Sequence, residues 1–400
     1  MTTLCLYCSA KVNPEDKSKS SYEHVILRSI GGKKGRRDIC CSKCNNRLGN
    51  TVDQALAEFC APFLNMINAD LDTRSGEPPE LHGLKTADGR TVSLLVGGKP
   101  AFEPEEKVSV REEGDKVRVS IQAESVEELS YLLKHQKKRF DLNAEDLSSA
   151  KGKIVREYGT QIKFSTSIDT QIRRAVGKML LNVCSLALTR ELVRSSQFES
   201  FIARVTGEED ARDIAVLTSE FPSECSKYDG QLTHRTLVYG LSNEQRVCGL
   251  FQLFGSLTFG AVLSEEWSGD DFCFGMECDP VKGEERCSDE FKVAELSLPE
   301  SFQISYDDEV SLMRSQFKGL GSKAMAHQAK AARDQMIKEV IGEQFAQARK
   351  EGAEYVRPED VDRISTELAE RFVLMNFGGR KEEVLEPEDI LKGVFTDEDE

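Results

Sequence analysis

Apolar residues recur at helical spacing in three parts of the chain. Near the N-terminus they occupy Val52, Leu56, Phe59, Phe63 and Ile67. In the middle of the chain they occupy Ile172, Val176, Leu180, Val183 and Ala187. A third region, from about 322 to 376, repeats the pattern twice, and Arg357-Pro358 divides the two halves. Residues three or four positions apart share one face of a helix, so each pattern predicts an amphipathic helix.

Other regions alternate apolar and polar residues, which is typical of strands. Residues 81–122 contain two such pairs, and each pair folds back at a glycine turn. Strand patterning returns in residues 231–295, where the apolar run from 249 to 263 predicts two strands buried on both sides. Ser125 and Glu128 form a capping box that opens a further helix. The chain is therefore predicted to have a mixed α+β fold.

Breaks in these patterns predict four segments. Residues 1–75 form a cysteine-rich module, and adjacent prolines in the linker 74–80 stop its last helix. A mixed α and β body follows at 81–310, and a helical region follows at 311–380. Residues 381–400 carry nine acidic side chains against two lysines, so we predict a loosely ordered acidic tail.

The formal net charge of −16 is unevenly distributed along the chain. Residues 1–50 carry ten Lys and Arg against four Asp and Glu, a net charge of +6, so the remaining chain carries −22. A basic module on an acidic body predicts that any polyanion is bound at the N-terminus. The acidic total therefore does not exclude a nucleic acid as ligand.

The sequence predicts no association with a membrane. It contains no run of about 18 apolar residues, and its N-terminus, MTTLCLYC, lacks the charged segment and apolar stretch of a signal peptide. We therefore expect a cytoplasmic protein. Cysteines stay reduced in that compartment, so paired CxxC motifs are expected to bind metal rather than to form disulfides.

Two CxxC motifs, Cys5/Cys8 and Cys41/Cys44, supply four thiolates. Zn²⁺ prefers a tetrahedron of such ligands, so we predict a structural zinc site. The motifs are separated by 32 residues, more than in a simple zinc ribbon, so they would clamp the base of an insert. Cys40 is an alternative ligand to Cys41, although the two-residue spacing favours Cys41.

The insert contains YEHVILRSIGG at positions 22–32, in which Glu23 directly precedes His24. A carboxylate that holds a hard divalent ion and a histidine that takes a proton from water form a minimal hydrolytic pair for a phosphodiester. Asn45, beside the last cysteine, would supply a further oxygen ligand. Neighbouring strand residues point to opposite faces, so both reach one site only at a bulge or a strand end.

The stretches CLYC, YEHVILRSIGG and RRDICCSKCNNRLG together resemble the zinc-knuckle branch of the HNH endonucleases, which have the ββα-metal fold. The resemblance implies that Glu23 and Asn45 bind a catalytic Mg²⁺ or Mn²⁺ and that His24 is the general base. It also implies that Asp38 stands at the middle position, where the family has an Asn that steadies the histidine loop. Asn46 competes with Asn45 for the last role. The fold expected is an HNH module followed by a body of unrecognised fold and C-terminal helices.

Basic residues surround this motif, and they are Arg28, Lys33, Lys34, Arg36, Arg37 and Arg47. We predict that they bind the phosphates of DNA with an affinity that depends on salt and not on base sequence. A solvated basic loop is the alternative interpretation. The sequence does not distinguish DNA from RNA.

The resemblance thus implies a metal-dependent DNA endonuclease that a larger acidic body regulates or targets. The alternative is a non-catalytic zinc module that binds nucleic acid or a protein partner. A third hypothesis, based on the charge asymmetry, is a defence effector whose body inhibits the nuclease until a signal arrives. Residues 81–380 carry no motif of their own. We expect them to bind a regulatory partner or to form a homo-oligomer.

Overall fold

The structure is a computed structural model. It describes residues 3–16, 20–72, 75–103, 107–113, 116–123, 126–140, 151–158, 162–163, 167–212, 214, 216–217, 221, 232–288, 305–352 and 355–385. The α-helices are α1 (Ser42–Leu48), α2 (Gln54–Met66), α3 (Val126–Phe140), α4 (Thr170–Ala187), α5 (Arg190–Val193), α6 (Glu199–Thr206), α7 (Tyr306–Lys350) and α8 (Pro358–Phe377). A π-helical turn, Gly49–Asp53, joins α1 to α2.

The strands of the N-terminal module are β1 (Thr3–Leu4), β2 (Lys11–Val12), β3 (Glu23–His24) and β4 (Gly35–Arg36). The next seven are β5 (Leu81–Thr86), β6 (Thr91–Leu95), β7 (Lys99–Phe102), β8 (Val108–Glu113), β9 (Lys116–Ile121), β10 (Gly152–Tyr158) and β11 (Ile162–Lys163). The remaining strands are β12 (Val216–Leu217), β13 (His234–Leu241), β14 (Arg246–Leu253), β15 (Leu257–Ser264), β16 (Phe272–Asp279), β17 (Glu284–Ser288) and β18 (Gly379–Leu385).

The chain divides into two compact units. The first consists of Met1–Pro79, Val96–Gly98 and Ser165–Gln328, and the second of Glu80–Leu95, Lys99–Phe164 and Ala329–Glu400. The first unit thus joins the cysteine-rich module to α4 and to strands β12–β17. The division into four segments that the sequence predicts stays a prediction.

An antiparallel six-stranded sheet in the order β12-β15-β14-β13-β16-β17 forms the centre of the first unit. Strands β14 and β15 are buried on both faces, as the apolar run predicted. Helix α4 packs closely on this sheet, since a Cβ at Gly249 would lie 2.8 Å from Leu180 Cδ2. The same hydrophobic core includes Ile26, Leu48 and Leu56 of the N-terminal module, together with Val176 and Leu180 of α4. The module is therefore packed against the body within one core.

Two short strand pairs and two helices make up the N-terminal module. Strand β1 pairs with β2, and β3 pairs with β4, both antiparallel. Helix α1 follows, and α2 buries Leu56, Phe59 and Leu64. The strand–strand–helix order over residues 23–48 is that of the predicted ββα module.

Gly31 and Gly32 lie where the N-terminal module contacts the residue after the end of strand β16. Gly31 has a φ of 106°, and a Cβ there would lie 3.0 Å from Pro280 Cβ. A Cβ on Gly32 would collide with the carbonyl oxygen of Ile26. Both positions therefore require glycine, the first for its conformation and the second for space.

The second unit contains an antiparallel sheet in the order β11-β5-β6-β7 and a separate β8–β9 hairpin. Strand β10 pairs with β18 along their whole lengths, from Gly152 with Leu385 to Tyr158 with Gly379. The predicted acidic tail therefore begins with a paired strand, and residues 386–400 lie outside the described residues.

The predicted C-terminal helices are confirmed as α7 and α8, although α7 begins at Tyr306, well before the predicted start. Pro358 is the first residue of α8, a position where its fixed φ suits a helix. Within the described parts of the chain, no helix has both the length and the apolar character needed to cross a membrane. The mixed α+β fold predicted from the sequence is confirmed.

Candidate functional site

Four cysteines of the N-terminal module converge on one point. Cys5 and Cys8 lie between β1 and β2, while Cys41 is the N-cap of α1 and Cys44 lies in its first turn. The sulfur atoms of Cys5, Cys8, Cys41 and Cys44 all lie within 4.8 Å of one another. Among the residues that the structure describes, this is the group of three or more His, Cys, Asp or Glu side chains placed to hold a metal ion.

Backbone amides support these thiols. The amide of Tyr7 donates to Cys5 Sγ over 3.4 Å, and the amide of Cys44 donates to Cys41 Sγ over 3.5 Å. The pKa of Cys5 is lowered to about 5, first by a hydrogen bond from the Cys44 thiol. A thiolate is the form that binds metal, and four sulfur donors at this spacing fit the tetrahedral preference of Zn²⁺.

Cys40 is not a member of this cluster. Its thiol lies 3.8 Å from Oε2 of Glu23, as a weak donor to that carboxylate. Burial raises the pKa of Cys40 far above its ordinary value, so it remains a neutral thiol. The geometry therefore favours Cys41 over Cys40 as a ligand, and the assignment stays a prediction.

A pocket of about 480 Å³ is lined by residues that neighbour the four-cysteine cluster in sequence, among them Asn45 and Asn46. Its walls are Tyr22, Glu23, His24, Leu27, Arg28, Ser29, Asn45, Asn46, Gly49, Asn50, Asp53, Gln54 and Ala57. Strand β3 and the turn after it form one wall, and α1 with the π-helical turn forms the other. The structure thus brings Glu23, His24 and Asn45 into one pocket.

Glu23 and His24 share this pocket because β3 is only two residues long. Glu23 is 2% exposed, whereas the His24 side chain is 13% exposed. Nε2 of His24 lies 3.1 Å from Oδ2 of Asp72, and its ring meets the Tyr22 ring edge-on with centroids 5.1 Å apart. Burial lowers the pKa of His24, an effect that Asp72 opposes. A neutral imidazole, able to accept a proton, is therefore favoured near pH 7.

The Glu23 carboxylate is held by side chains from α4. Nζ of Lys178 lies 2.6 Å from Oε1 of Glu23 and 2.5 Å from Oδ2 of Asp53. Nδ2 of Asn182 donates to the same Glu23 oxygen over 3.2 Å and to the His24 carbonyl oxygen over 3.3 Å. Burial lowers the pKa of Lys178, but the two carboxylates outweigh it and raise the pKa above its ordinary value. Lys178 therefore carries a buried positive charge.

Asn45 and Asn46 both line the pocket, so the choice between them stays a prediction. Nδ2 of Asn45 donates to Oγ of Ser21 over 2.6 Å. That bond uses the amide nitrogen and leaves the Asn45 oxygen as the atom able to bind a cation. The side-chain orientation is therefore consistent with the predicted role of Asn45.

Asp38 contacts two arginines, and its predicted role at the middle position of the motif stays a prediction. Nε of Arg36 donates to Oδ1 of Asp38 over 2.8 Å, and Nη2 of Arg190 lies 3.1 Å from Oδ2. Asp38 thus links β4 to α5. The carboxylate that contacts His24 is that of Asp72, after the end of α2.

The predicted phosphate-binding residues have varied surroundings. Arg28 lines the pocket, and Arg37 lies over the Tyr22 ring. Nζ of Lys33 lies 3.2 Å from Oδ1 of Asp70. The backbone amides of Lys33 and Lys34 both donate to Oε2 of Glu285 in β17, the first over 2.7 Å.

Sequence reasoning missed Asp53, Asp72, Lys178 and Asn182. A signal for the two α4 residues was present in AVGKMLLNVC, at 175–184, where a lysine and an asparagine four positions apart interrupt an apolar run. Such residues share a helix face, so a buried polar pair could have been inferred.

Comparison with known proteins agrees with the geometry of the module. Searches of curated proteins and of solved structures found no match for the chain. Residues 5–59 match a family model described as HNH endonuclease. The matched segment contains the four cysteines and the residues Glu23, His24, Asn45 and Asp53. The N-terminal module of this chain is an HNH domain.

Proposed function

We propose that the protein is a metal-dependent endonuclease that hydrolyses phosphodiester bonds of DNA. The observation that carries this proposal is the single pocket shared by Glu23, His24 and Asn45 within the HNH domain. The structural zinc cluster needs none of these three residues. A pure zinc-binding module therefore offers no reason for their convergence.

The donors around the pocket suit a hard divalent cation. Oδ1 of Asp53 is buried and has no hydrogen-bond partner among the described residues. Carboxylate and amide oxygens from Glu23, Asn45 and Asp53 are the ligand types that Mg²⁺ and Mn²⁺ prefer. Such a cation, when bound, supplies positive charge that stabilises the pentacovalent phosphorus and the leaving oxygen.

His24 would act as the general base. With Asp72 accepting a hydrogen bond from the Nε2–H group, Nδ1 is the nitrogen able to accept a proton. His24 takes the proton from a water molecule, and the resulting hydroxide forms a bond to phosphorus while the bond from phosphorus to the leaving oxygen breaks. The leaving oxygen then takes a proton from solvent.

The substrate would reach the pocket along the basic face of the module. Arg28 lies in the pocket wall, where its guanidinium can pair with a phosphate next to the scissile bond. The other predicted phosphate contacts, Lys33, Lys34, Arg36, Arg37 and Arg47, remain proposals. We assign the body a regulatory or targeting role as part of the same proposal.

The test is nicking of supercoiled plasmid with Mg²⁺ or Mn²⁺, with linear duplex DNA, single-stranded DNA and RNA as parallel substrates. His24→Ala is expected to reduce the nicking rate by about 10²- to 10⁴-fold while zinc content and melting temperature stay unchanged. His327→Ala, on α7, is the matched control. Nicking by the wild type and by His24→Ala at equal rates would show that His24 is not the base.

Cleavage by neither protein on any substrate would contradict the enzyme and favour a zinc module that only binds. Preferential cleavage of RNA would retain the nuclease but change its substrate. Both outcomes are read from the same set of gels.

A further inference from the structure

Helix α4 buries two polar residues against the HNH domain. Lys178 and Asn182 are both 0% exposed, in a helix whose other buried residues are mostly apolar. They are four positions apart, so both side chains lie on the same face. Both residues lie more than 100 positions beyond the segment that matches the HNH family.

A lysine in such a place needs compensation. Removing an ammonium group from water is energetically unfavourable, and here two carboxylates offset that cost. The nearest atoms are Oε1 of Glu23 and Oδ2 of Asp53. Asn182 is fixed from its other side, because its Oδ1 accepts a hydrogen bond from the Tyr7 hydroxyl over 2.5 Å.

Lys178 pairs with one oxygen of each carboxylate, so the other oxygen of each remains for a different contact. The second oxygen of Glu23 faces the Cys40 thiol, a weak donor at 3.8 Å. The second oxygen of Asp53 has no hydrogen-bond partner within the described part of the chain. Both residues also line the pocket that contains His24 and Asn45. The ammonium group therefore holds two carboxylates in place without using all their oxygens.

We propose that Lys178 and Asn182 are positioning residues of the nuclease centre, and that they hold Glu23 and Asp53 so that one oxygen of each can bind the divalent cation. This inference rests on the proposed function and extends it to helix α4 of the body. The HNH segment would then be an incomplete site without α4.

An alternative role for Lys178, repulsion of cations, predicts the opposite change in Mn²⁺ affinity. If Lys178 only repelled cations, its removal would strengthen Mn²⁺ binding, because one positive charge near the carboxylates disappears. If Lys178 positions the carboxylates, its removal weakens Mn²⁺ binding despite that gain. Mn²⁺ affinity therefore separates the two roles without any measurement of activity.

We would measure Mn²⁺ binding to zinc-loaded full-length protein by electron paramagnetic resonance. The site in question is the one that Asp53→Asn removes. Lys178→Met is expected to weaken Mn²⁺ binding at that site by about 10- to 100-fold. Asn182→Ala changes no charge and is less disruptive, and it is expected to weaken binding by about 10-fold.

One control variant matches the lysine change. Lys323→Met removes a body lysine whose Nζ donates to the Gly255 carbonyl oxygen over 2.6 Å, and it should leave Mn²⁺ binding unchanged. Zinc content and melting temperature identify any variant that has not folded, and Asn182→Ala then carries the test.

Unchanged or tighter Mn²⁺ binding in folded Lys178→Met and Asn182→Ala would overturn the proposal. So would an unchanged number of sites in Asp53→Asn. Failure of the proposed function has a different signature, since the wild type would then bind Mn²⁺ without nicking any substrate. A wild type that binds no Mn²⁺ would overturn both.

Discussion

The zinc cluster and the candidate catalytic pocket lie in the same domain, but they are assembled from different parts of the chain. All four cysteines that could hold the zinc ion come from residues 5–44, from one hairpin and the start of one helix. The pocket depends on Lys178 and Asn182, which are 125 or more positions from their partners Asp53 and Glu23. The four-cysteine cluster forms from residues near one another in sequence, whereas the pocket forms when the body packs against the domain.

The difference follows from how each site balances its charge. A zinc ion bound by the four cysteines would come from solution and neutralise their thiolates, so the fold must supply only spacing. The buried carboxylate of Glu23 and the partly buried carboxylate of Asp53 need a positive charge beside them, and Lys178 supplies it. A site that depends on a buried ammonium group depends on the helix that carries it. The comparison makes predictions for each site.

Loss of a zinc ligand should have the largest effect. Cys44→Ser is expected to abolish stoichiometric zinc binding and to unfold the N-terminal domain, because structural zinc contributes about 10 kcal/mol or more of folding free energy. Zinc content by mass spectrometry and thermal unfolding measure this. Cys60→Ser is a suitable comparison, since Cys60 is a buried cysteine of α2 outside the cluster. Full zinc content in Cys44→Ser would exclude the four-cysteine site.

Separating the HNH domain from α4 should divide the two sites. A fragment of residues 1–79 is expected to bind one zinc ion, because all four ligands are present. The same fragment should lose nicking activity by about 100-fold or more, since the partners of Glu23 and Asp53 are absent. Zinc content and plasmid nicking are measured on the same sample. A fragment that nicks as fast as the full chain would contradict the dependence on α4, and a faster fragment would support inhibition by the body.

Removal of the buried ammonium group should destabilise the whole first unit. Lys178→Met is expected to lower the free energy of unfolding by about 3 to 5 kcal/mol, because the buried Glu23 carboxylate and the partly buried Asp53 carboxylate lose their partner. Adding Asp53→Asn should recover part of this loss, since one of the two uncompensated charges disappears. Urea unfolding of the single and double variants gives the coupling. Additive losses would mean that the two residues do not interact.

Changes to the basic surface should have the smallest effects. Arg28 lies in the pocket wall, whereas Arg36 already pairs with Asp38. Arg28→Ala is expected to reduce the slope of log affinity against log salt concentration for duplex DNA by about 0.9, the value for one lost phosphate contact. Arg36→Ala should reduce it by less. The measurement is DNA binding over a salt series without added Mg²⁺ or Mn²⁺. Equal salt-dependence slopes in the wild type, Arg28→Ala and Arg36→Ala would exclude Arg28 as a phosphate contact.

Local patterns were sufficient to predict much of the structure. The CxxC spacing predicted the cluster, and the periodicity of Ile172 to Ala187 predicted α4. The same periodicity did not predict that α4 contacts Glu23 and Asp53. An apolar stripe indicates which face of a helix is buried, but it does not indicate which residues cover that face. Lys178 lies off that stripe, and a lysine off a stripe is usually solvated.

The roles of the acidic residues depended on long-range packing in the same way. Asp38 stands at the family's middle position, but Arg36 and Arg190 hold it. The carboxylate beside His24 comes from Asp72, beyond the segment that matches the family. A motif specifies the order of residues along the chain, and it does not specify which other side chains reach them.

The sequence alone determined the HNH domain, its cysteine ligands and the pairing of Glu23 with His24, because these features depend on short spacings that the covalent chain imposes. Only the tertiary structure decided that Lys178 and Asn182 hold Glu23, that Lys178 also holds Asp53, and that Asp72 contacts His24. Those contacts arise because a shared core packs α4 against the domain, and a buried charge must find its partner wherever the packed chain places one.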